Sequence, residues 1–202
     1  MYRGSIPDLR SLDVAEPIWD RFFTVAPLVV IGTRDADGRF DLAPKHLAGP
    51  MGWENYFGFV CTSEHATYRN VRRESVFTVS FPDPSQIVPV GQAAAPRDDD
   101  GLKASIDALD TFPASVIDGV LLEGATLHLE CRLEKCVDGM GPNSLLIGRI
   151  LAAAARPDVL RDPEVDDQEL IARSPLLAYL SPGRFCDVSR SFSFPFPMNF
   201  KR

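Results

Sequence analysis

The sequence predicts a mainly β protein: a β-barrel of largely antiparallel strands with flanking helices. Three stretches carry that reading. "PLVVIGT", residues 27–33, is an apolar β-branched run followed at once by the hairpin signal "DADG". "NYFGFVCT" and "SVFTVSF" are strand-like runs joined by one short helical segment, unlike the regular strand–helix alternation of a parallel sheet. "ATLHLECRLEKCV" alternates cleanly, with Leu127, Leu129, Cys131 and Leu133 on one face and His128, Glu130, Arg132 and Glu134 on the other. That period of two predicts one buried and one solvated face.

The elements follow in chain order. Residues 1–20 read as an N-terminal extension, whose scattered charges and missing apolar run exclude a signal peptide. A strand is predicted at Pro27–Thr33 and its hairpin partner at Phe40–Ala43, with Gly38 free to take a positive φ in the turn. Asn55–Thr62 is the next strand. Glu64–Glu74 is a short helix with Val71 turned inward and Arg69, Arg72 and Arg73 solvated, and Ser75–Phe81 returns as a strand. Residues 82–100, rich in Pro, Ala and Asp, predict an irregular excursion containing a helical turn. "DDDGLKASIDALDTF" predicts an amphipathic helix with Leu102, Ile106 and Leu109 on one side. "SLLIGRILAAAA" is a buried strand, "DPEVDDQELIARS" a short acidic helix, and "LLAYL" and "RFCDV" are closing strands. The aromatic tail, residues 189–202, is broken by Pro195 and Pro197 and is expected to pack across a surface. With no repeat and no linker, the 202 residues are read as one domain.

Composition narrows the function classes. A formal net charge of -7 argues against a nucleic-acid partner but leaves room for a local basic pocket. No stretch reaches the roughly 18 apolar residues of a membrane helix, so a cytoplasmic protein is expected. The four cysteines, Cys61, Cys131, Cys136 and Cys186, form no C-x-x-C pair and are expected as free thiols. Phosphate-loop, dinucleotide-fingerprint, H-E-x-x-H and G-x-S-x-G motifs are missing, and with three His spread along the chain no metal site is expected.

"PLVVIGTRDADGRFDLAPKHLAG", an aromatic strand, "TSEHATYRNV" and "VFTVSF" together resemble the flavin reductase-like, FMN-binding split-barrel family. Its members run apolar strand, D-x-x-G turn, N-x-A-P-x-S, strand, T-x-x-N-[IV] helix and F-x-V-[NS] strand. Five short pieces fall in that order, closely over residues 24–82 and loosely over residues 125–188. The resemblance implies a split β-barrel of FMN-binding type, bound FMN with FAD as the alternative, and NAD(P)H as transient reductant. It also implies a homodimer with the flavin near the subunit interface, and a partner monooxygenase as one candidate recipient of electrons.

The residues can serve such a ligand physically. Asp41, Leu42, Ala43, Pro44, Lys45 and His46 could present backbone groups to the pyrimidine edge of an isoalloxazine ring, with Pro44 fixing the chain. Thr62, Ser63 and Thr67, next to Cys61 at a strand end and helix start, could hold the phosphate, because orphan N–H groups and the positive helix end attract an anion. Asn70 matches the family's Asn and could orient the loop. Each has a plainer reading: Ser63 or Thr67 as a helix cap, Lys45 and His46 as a solvated pair. Two departures from the family stand out. Asp41 occupies the position of its usual Asn. In "NSLLIGRI", Asn143 occupies the position of the His that many members place near the nicotinamide, and Asn cannot become an imidazolium. Asn143 and His46 are the catalytic candidates. Asn143 can equally be a turn residue after "DGMGP". A non-catalytic FMN carrier or redox sensor of the same fold is the alternative function.

Overall fold

The computed structural model describes residues 9–97, 103, 106 and 108–197. A seven-stranded antiparallel sheet curls into a half-barrel. Its strands are β2 (Val29–Arg34), β3 (Phe40–Lys45), β4 (Ala48–Pro50), β5 (Tyr56–Thr62), β6 (Val76–Phe81), β9 (Leu127–Met140) and β10 (Asn143–Ala155). Their order is β3-β2-β6-β9-β10-β5-β4. A three-stranded sheet, β1-β11-β12, combines β1 (Thr24–Pro27) with β11 (Leu176–Ser181) and β12 (Arg184–Val188), and a small hairpin pairs β7 (Thr111–Pro113) with β8 (Val120–Leu122). Strands β1 and β4 carry no signal of their own in the sequence; both are short and are held by partners distant or hairpin-linked in the chain.

Strand β2 shows why the apolar run at its core has no alternation. Val29 and Ile31 enter a core with Phe57, Phe59, Phe77, Val79, Leu129 and Leu146, while Val30 enters a second core with Leu28, Leu42, Val90 and Leu122. Both faces are covered, so both need apolar side chains. The Asp35–Arg39 turn closes with Gly38 at φ 90°, a conformation that costs glycine little. Strand β3 continues through Pro44 to Lys45, two residues past the expected end. Among the described residues it is an edge strand paired only with β2, so the N–H that Pro44 lacks leaves the ladder intact.

Helix α1 (Ala66–Glu74) starts two residues after the expected Glu64, because Thr62 to His65 form a turn closed by His65 N–H donating to the Thr62 carbonyl at 3.1 Å. Val71 drops from α1 into the barrel core as expected. Helix α2 (Ile87–Gln92), preceded by a single 3-10 turn, is the helical turn expected within the excursion. Helix α3 (Asp167–Arg173) matches the acidic segment.

Two expectations change. Most of the helix predicted over 98–112, including Leu102, lies outside the described residues; its last two residues, Thr111 and Phe112, belong to β7, where pairing with β8 outweighs helical periodicity. Leu109 does enter the second core. The polar face of β9 is not uniformly wet. Glu130 is only 4% exposed, because the loop after β7 folds over it and the Ser115 N–H and hydroxyl and the Val116 and Ile117 N–H all donate to its carboxylate at 2.5–3.1 Å. A local period of two cannot reveal a loop that arrives from elsewhere in the chain.

Candidate functional site

A cleft of about 500 Å³ opens where β3, the start of α1 and the segment Ala93–Arg97 meet. Strand β3 contributes Asp41, Ala43, Pro44 and Lys45; the turn and first residues of α1 contribute Glu64, His65, Thr67 and Arg69; Lys103 comes from the segment that follows the excursion. Lys45, Arg69, Arg97 and Lys103 set four cations against the carboxylates of Asp41 and Glu64, a net positive lining in a chain of net charge -7 and the local basic pocket that overall composition left open.

The helix end in this cleft is suited to an anion. The N-cap position of α1 is His65, which makes no side-chain cap, and the first turn carries no acidic residue. Its first N–H groups therefore lack the usual acceptor while the positive end of the helix faces a cationic surface. Neither Ser63 nor Thr67 caps the helix. Thr67 is buried in the cleft wall, Ser63 is exposed in the turn, and the Thr62 hydroxyl accepts from Glu64 N–H at 3.4 Å. Beneath them, Cys61 Sγ lies 3.8 Å from His65 Nδ1. Burial pushes the Cys61 thiol up, opposed by the Lys45 ammonium, while burial and then Lys45 hold His65 below the ordinary imidazole value. The thiol is therefore held protonated and the imidazole neutral.

Behind the cleft runs a chain of polar and charged groups, with Asp41 and Lys103 its most buried charges. Asn70 Nδ2 donates to Thr33 Oγ1 at 3.1 Å and to Asp35 Oδ1 at 2.8 Å. Arg97 pairs with Asp35 at 2.9 Å and with Asp41 at 3.1 Å. Lys103 Nζ meets Asp41 Oδ1 at 3.3 Å and the Leu42 carbonyl at 2.9 Å. Burial lowers the Lys103 pKa, and the Asp41 carboxylate opposes that shift.

Most of the sequence candidates come together here. Asp41, Ala43, Pro44, Lys45 and Thr67 line the cleft; Leu42 and Asn70 stand behind it; Cys61, Thr62 and Ser63 form the strand end and turn leading into α1. The other two sit elsewhere. The His46 ring packs on Tyr179 with centroids 4.3 Å apart, outside the cleft lining. Asn143 is the first residue of β10, in register with Thr62. It is strand, and the left-handed turn positions before it are Gly139 and Gly141. Sequence reading missed Arg97, Lys103 and the Ala93–Ala95 run. Their signal was present, a small-residue run ending in Pro96-Arg97 within the excursion, but nothing local says which surface it covers.

This arrangement lies within a stretch that matches a known family: residues 22–188 match the family described as "Flavin reductase like domain". The chain belongs to that family. Flavin-related redox chemistry, with a flavin cofactor, comes with membership. No curated protein matches the chain. Among solved structures, the fold is similar to nitrilotriacetate monooxygenase component B from Bacillus cereus, at 15% identity over 94% of this chain and 100% of that one, with a TM-score of 0.79. It is also similar to a Shewanella frigidimarina protein described as having a split barrel domain, at 16% identity over 86% and 87% of the two chains, TM-score 0.73. The FMN-binding protein from Thermus thermophilus, with bound 1-cyclohex-2-enone, aligns at 17% identity over 93% and 99%, TM-score 0.73. At these identities the likeness is one of fold: a split barrel.

Proposed function

We propose that this family member, read as one domain, binds FMN in the cleft and passes electrons from NAD(P)H through the flavin to an acceptor. The observation that carries this reading is the uncapped start of α1 facing a cationic cleft beside the unpaired edge of β3. The donor set fits a flavin mononucleotide. The N–H groups at the start of α1, the Thr67 hydroxyl, Lys45 and Arg69 suit a phosphate, with Thr62 and Ser63 shaping the turn that presents them. The outer backbone groups of β3 from Asp41 to Lys45 other than the Leu42 carbonyl, which accepts from Lys103, face no neighbouring strand among the described residues and suit the polar edge of the ring, with Pro44 fixing the chain.

Bound FMN would supply the hydride and electron chemistry, and the chain supplies binding, orientation and charge. Thr67 and the helix end hold the anionic terminus, Asn70 keeps the β2–β3 turn in place through Asp35, and the Ala93–Arg97 segment shields the cleft from water. Asn143, level with Thr62 at the strand end, is proposed to orient the nicotinamide by hydrogen bonding, without proton transfer. His46, stacked on Tyr179, is assigned no step. A monooxygenase is one proposed recipient, suggested by the Bacillus cereus neighbour being a monooxygenase component B.

The test is a visible spectrum of freshly purified protein, followed by anaerobic addition of NADH or NADPH. Oxidised-flavin bands that bleach on addition support the reading. Bands that persist favour a carrier or sensor, the alternative motivated by Asn143 standing where many family members have His. A colourless protein that takes up no added FMN overturns both.

A further inference from the structure

The Ala93–Arg97 segment and Lys103 form one side of the cleft although they lie some fifty residues after β3. Ala93 is anchored in the second core, and Ala94 and Ala95 donate only to local carbonyls, Gly91 at 3.1 Å and Gln92 at 2.9 Å. Polar ties from this wall to β3 run through Arg97 and Lys103. Both converge on Asp41: Oδ2 takes Arg97 at 3.1 Å and Oδ1 takes Lys103 at 3.3 Å. The Asp41 side chain is 4% exposed and that of Lys103 8%.

We infer that Asp41 is a positioning residue of the flavin site, clamping Ala93–Arg97 and Lys103 against β3 so that they form a wall of the cleft. The inference rests on the flavin reading above. Two carboxylates, Asp35 and Asp41, face two cations, Arg97 and Lys103, in one network. Removing one buried charge strands its partner in a low-dielectric site, a far larger perturbation than loss of an exposed ion pair. Asp41 is therefore required by its charge as well as its shape, which gives a physical reason for an acid where the resembled family carries Asn. The same chain of contacts reaches α1 through Asn70 and Asp35, so the clamp and the helix that would hold the phosphate share one network.

The substitution Asp41→Asn keeps the shape and an acceptor oxygen but deletes the charge. Two readouts decide the matter: hydrogen exchange at the Ala94 and Ala95 amides in flavin-free protein, and FMN affinity by fluorescence titration. In Asp41→Asn, exchange should quicken at least about tenfold and affinity weaken at least about tenfold, the loss expected when a buried charge is left unpaired. Asp41→Glu keeps the charge, so Arg97 and Lys103 retain a carboxylate partner, and exchange at Ala94 and Ala95 should stay closer to the natural protein than in Asp41→Asn. Unchanged readouts in Asp41→Asn, or exchange in Asp41→Glu as fast as in Asp41→Asn, overturn the clamp. Should Asp41→Asn fail to fold, Arg97→Gln leaves the Asp41–Lys103 pair intact and must still loosen Ala94 and Ala95; unchanged exchange there overturns the clamp by itself. If the natural protein takes up no FMN, the flavin reading fails, while exchange in the flavin-free protein still decides whether the clamp exists.

Discussion

Thr67 shows what one side chain does in the proposed site. Its hydroxyl lies in the cleft wall at the start of a helix whose N-cap provides no side-chain acceptor. Thr67→Ala removes one hydrogen bond to a charged group, about 1.5–3 kcal/mol, so FMN affinity should fall roughly ten- to a hundredfold in a fluorescence titration. Full affinity in that variant would remove Thr67 from the site. The histidines define a pH dependence. His46, His65 and His128 are all held below the ordinary value of 6.5, in each case first by burial. The unfolded chain then takes up protons that the folded chain resists, so stability is complete above pH 6.5 and declines as pH falls below it. For Glu130, burial raises the pKa, but the donors from Ser115, Val116 and Ile117 outweigh it and hold the carboxyl below its usual 4.5. Stability from Glu130 is present above pH 4.5 and lost as pH drops through the folded value. Melting temperature measured from neutral pH downward should show two successive losses. His128→Gln should shrink the first, since His128 is half-buried against Ser80 Oγ at 3.2 Å and the ring of Phe112.

At the scale of elements, the long β9–β10 hairpin determines how the barrel curls. Its register shifts between Ile147 and Gly148 and again between Ile150 and Ala152, and such irregularities bend a strand and increase its twist. Gly148 sits at the first of these. A Cβ there would stand 2.6 Å from two ring carbons of Phe77 and 3.0 Å from Cβ of Cys131, both fully buried. Gly148→Ala should therefore cost about 1–3 kcal/mol of stability as an overpacked core site, read as a lower urea midpoint with an unchanged slope. An unchanged midpoint would show that the hairpin can shift to make room. The element boundaries that moved did so for comparable reasons. Helix α1 begins late because the Thr62–His65 turn claims its first residues, and β3 runs on through Pro44 because an edge tolerates a missing donor.

The whole molecule keeps much apolar surface in water. Trp53 is 91% exposed, and Trp19, Phe23, Val25, Leu47 and Phe185 are also exposed. The tail is tied to α3 by Gln168 bonding to Ser189 and Ser191, while Phe192 and Phe194 remain exposed. Scattered apolar side chains need no partner, but so many large ones support the proposed homodimer. Light scattering at micromolar concentration should give twice the chain mass of 22.3 kDa. A mass of 22.3 kDa would dismiss the dimer.

Local chemistry made much of this protein legible in advance. A β-branched run named β2, and runs mixing aromatic and β-branched residues named β5 and β6; "DADG" named the first turn; alternation named β9; and the Pro44-bearing strand together with "TSEHATYRNV" named the two sides of the candidate site lying close in sequence. These are signals of propensity and period, which act over a few residues. What the tertiary structure decided depends on residues brought together from afar. The burial of Glu130 needs the loop after β7. The place of His46 needs Tyr179, more than a hundred residues on, and the level of Asn143 with Thr62 needs β5 beside β10. The wall of the cleft needs Asp41 to meet Arg97 and Lys103, because a buried charge is settled only by the charge that folding sets against it.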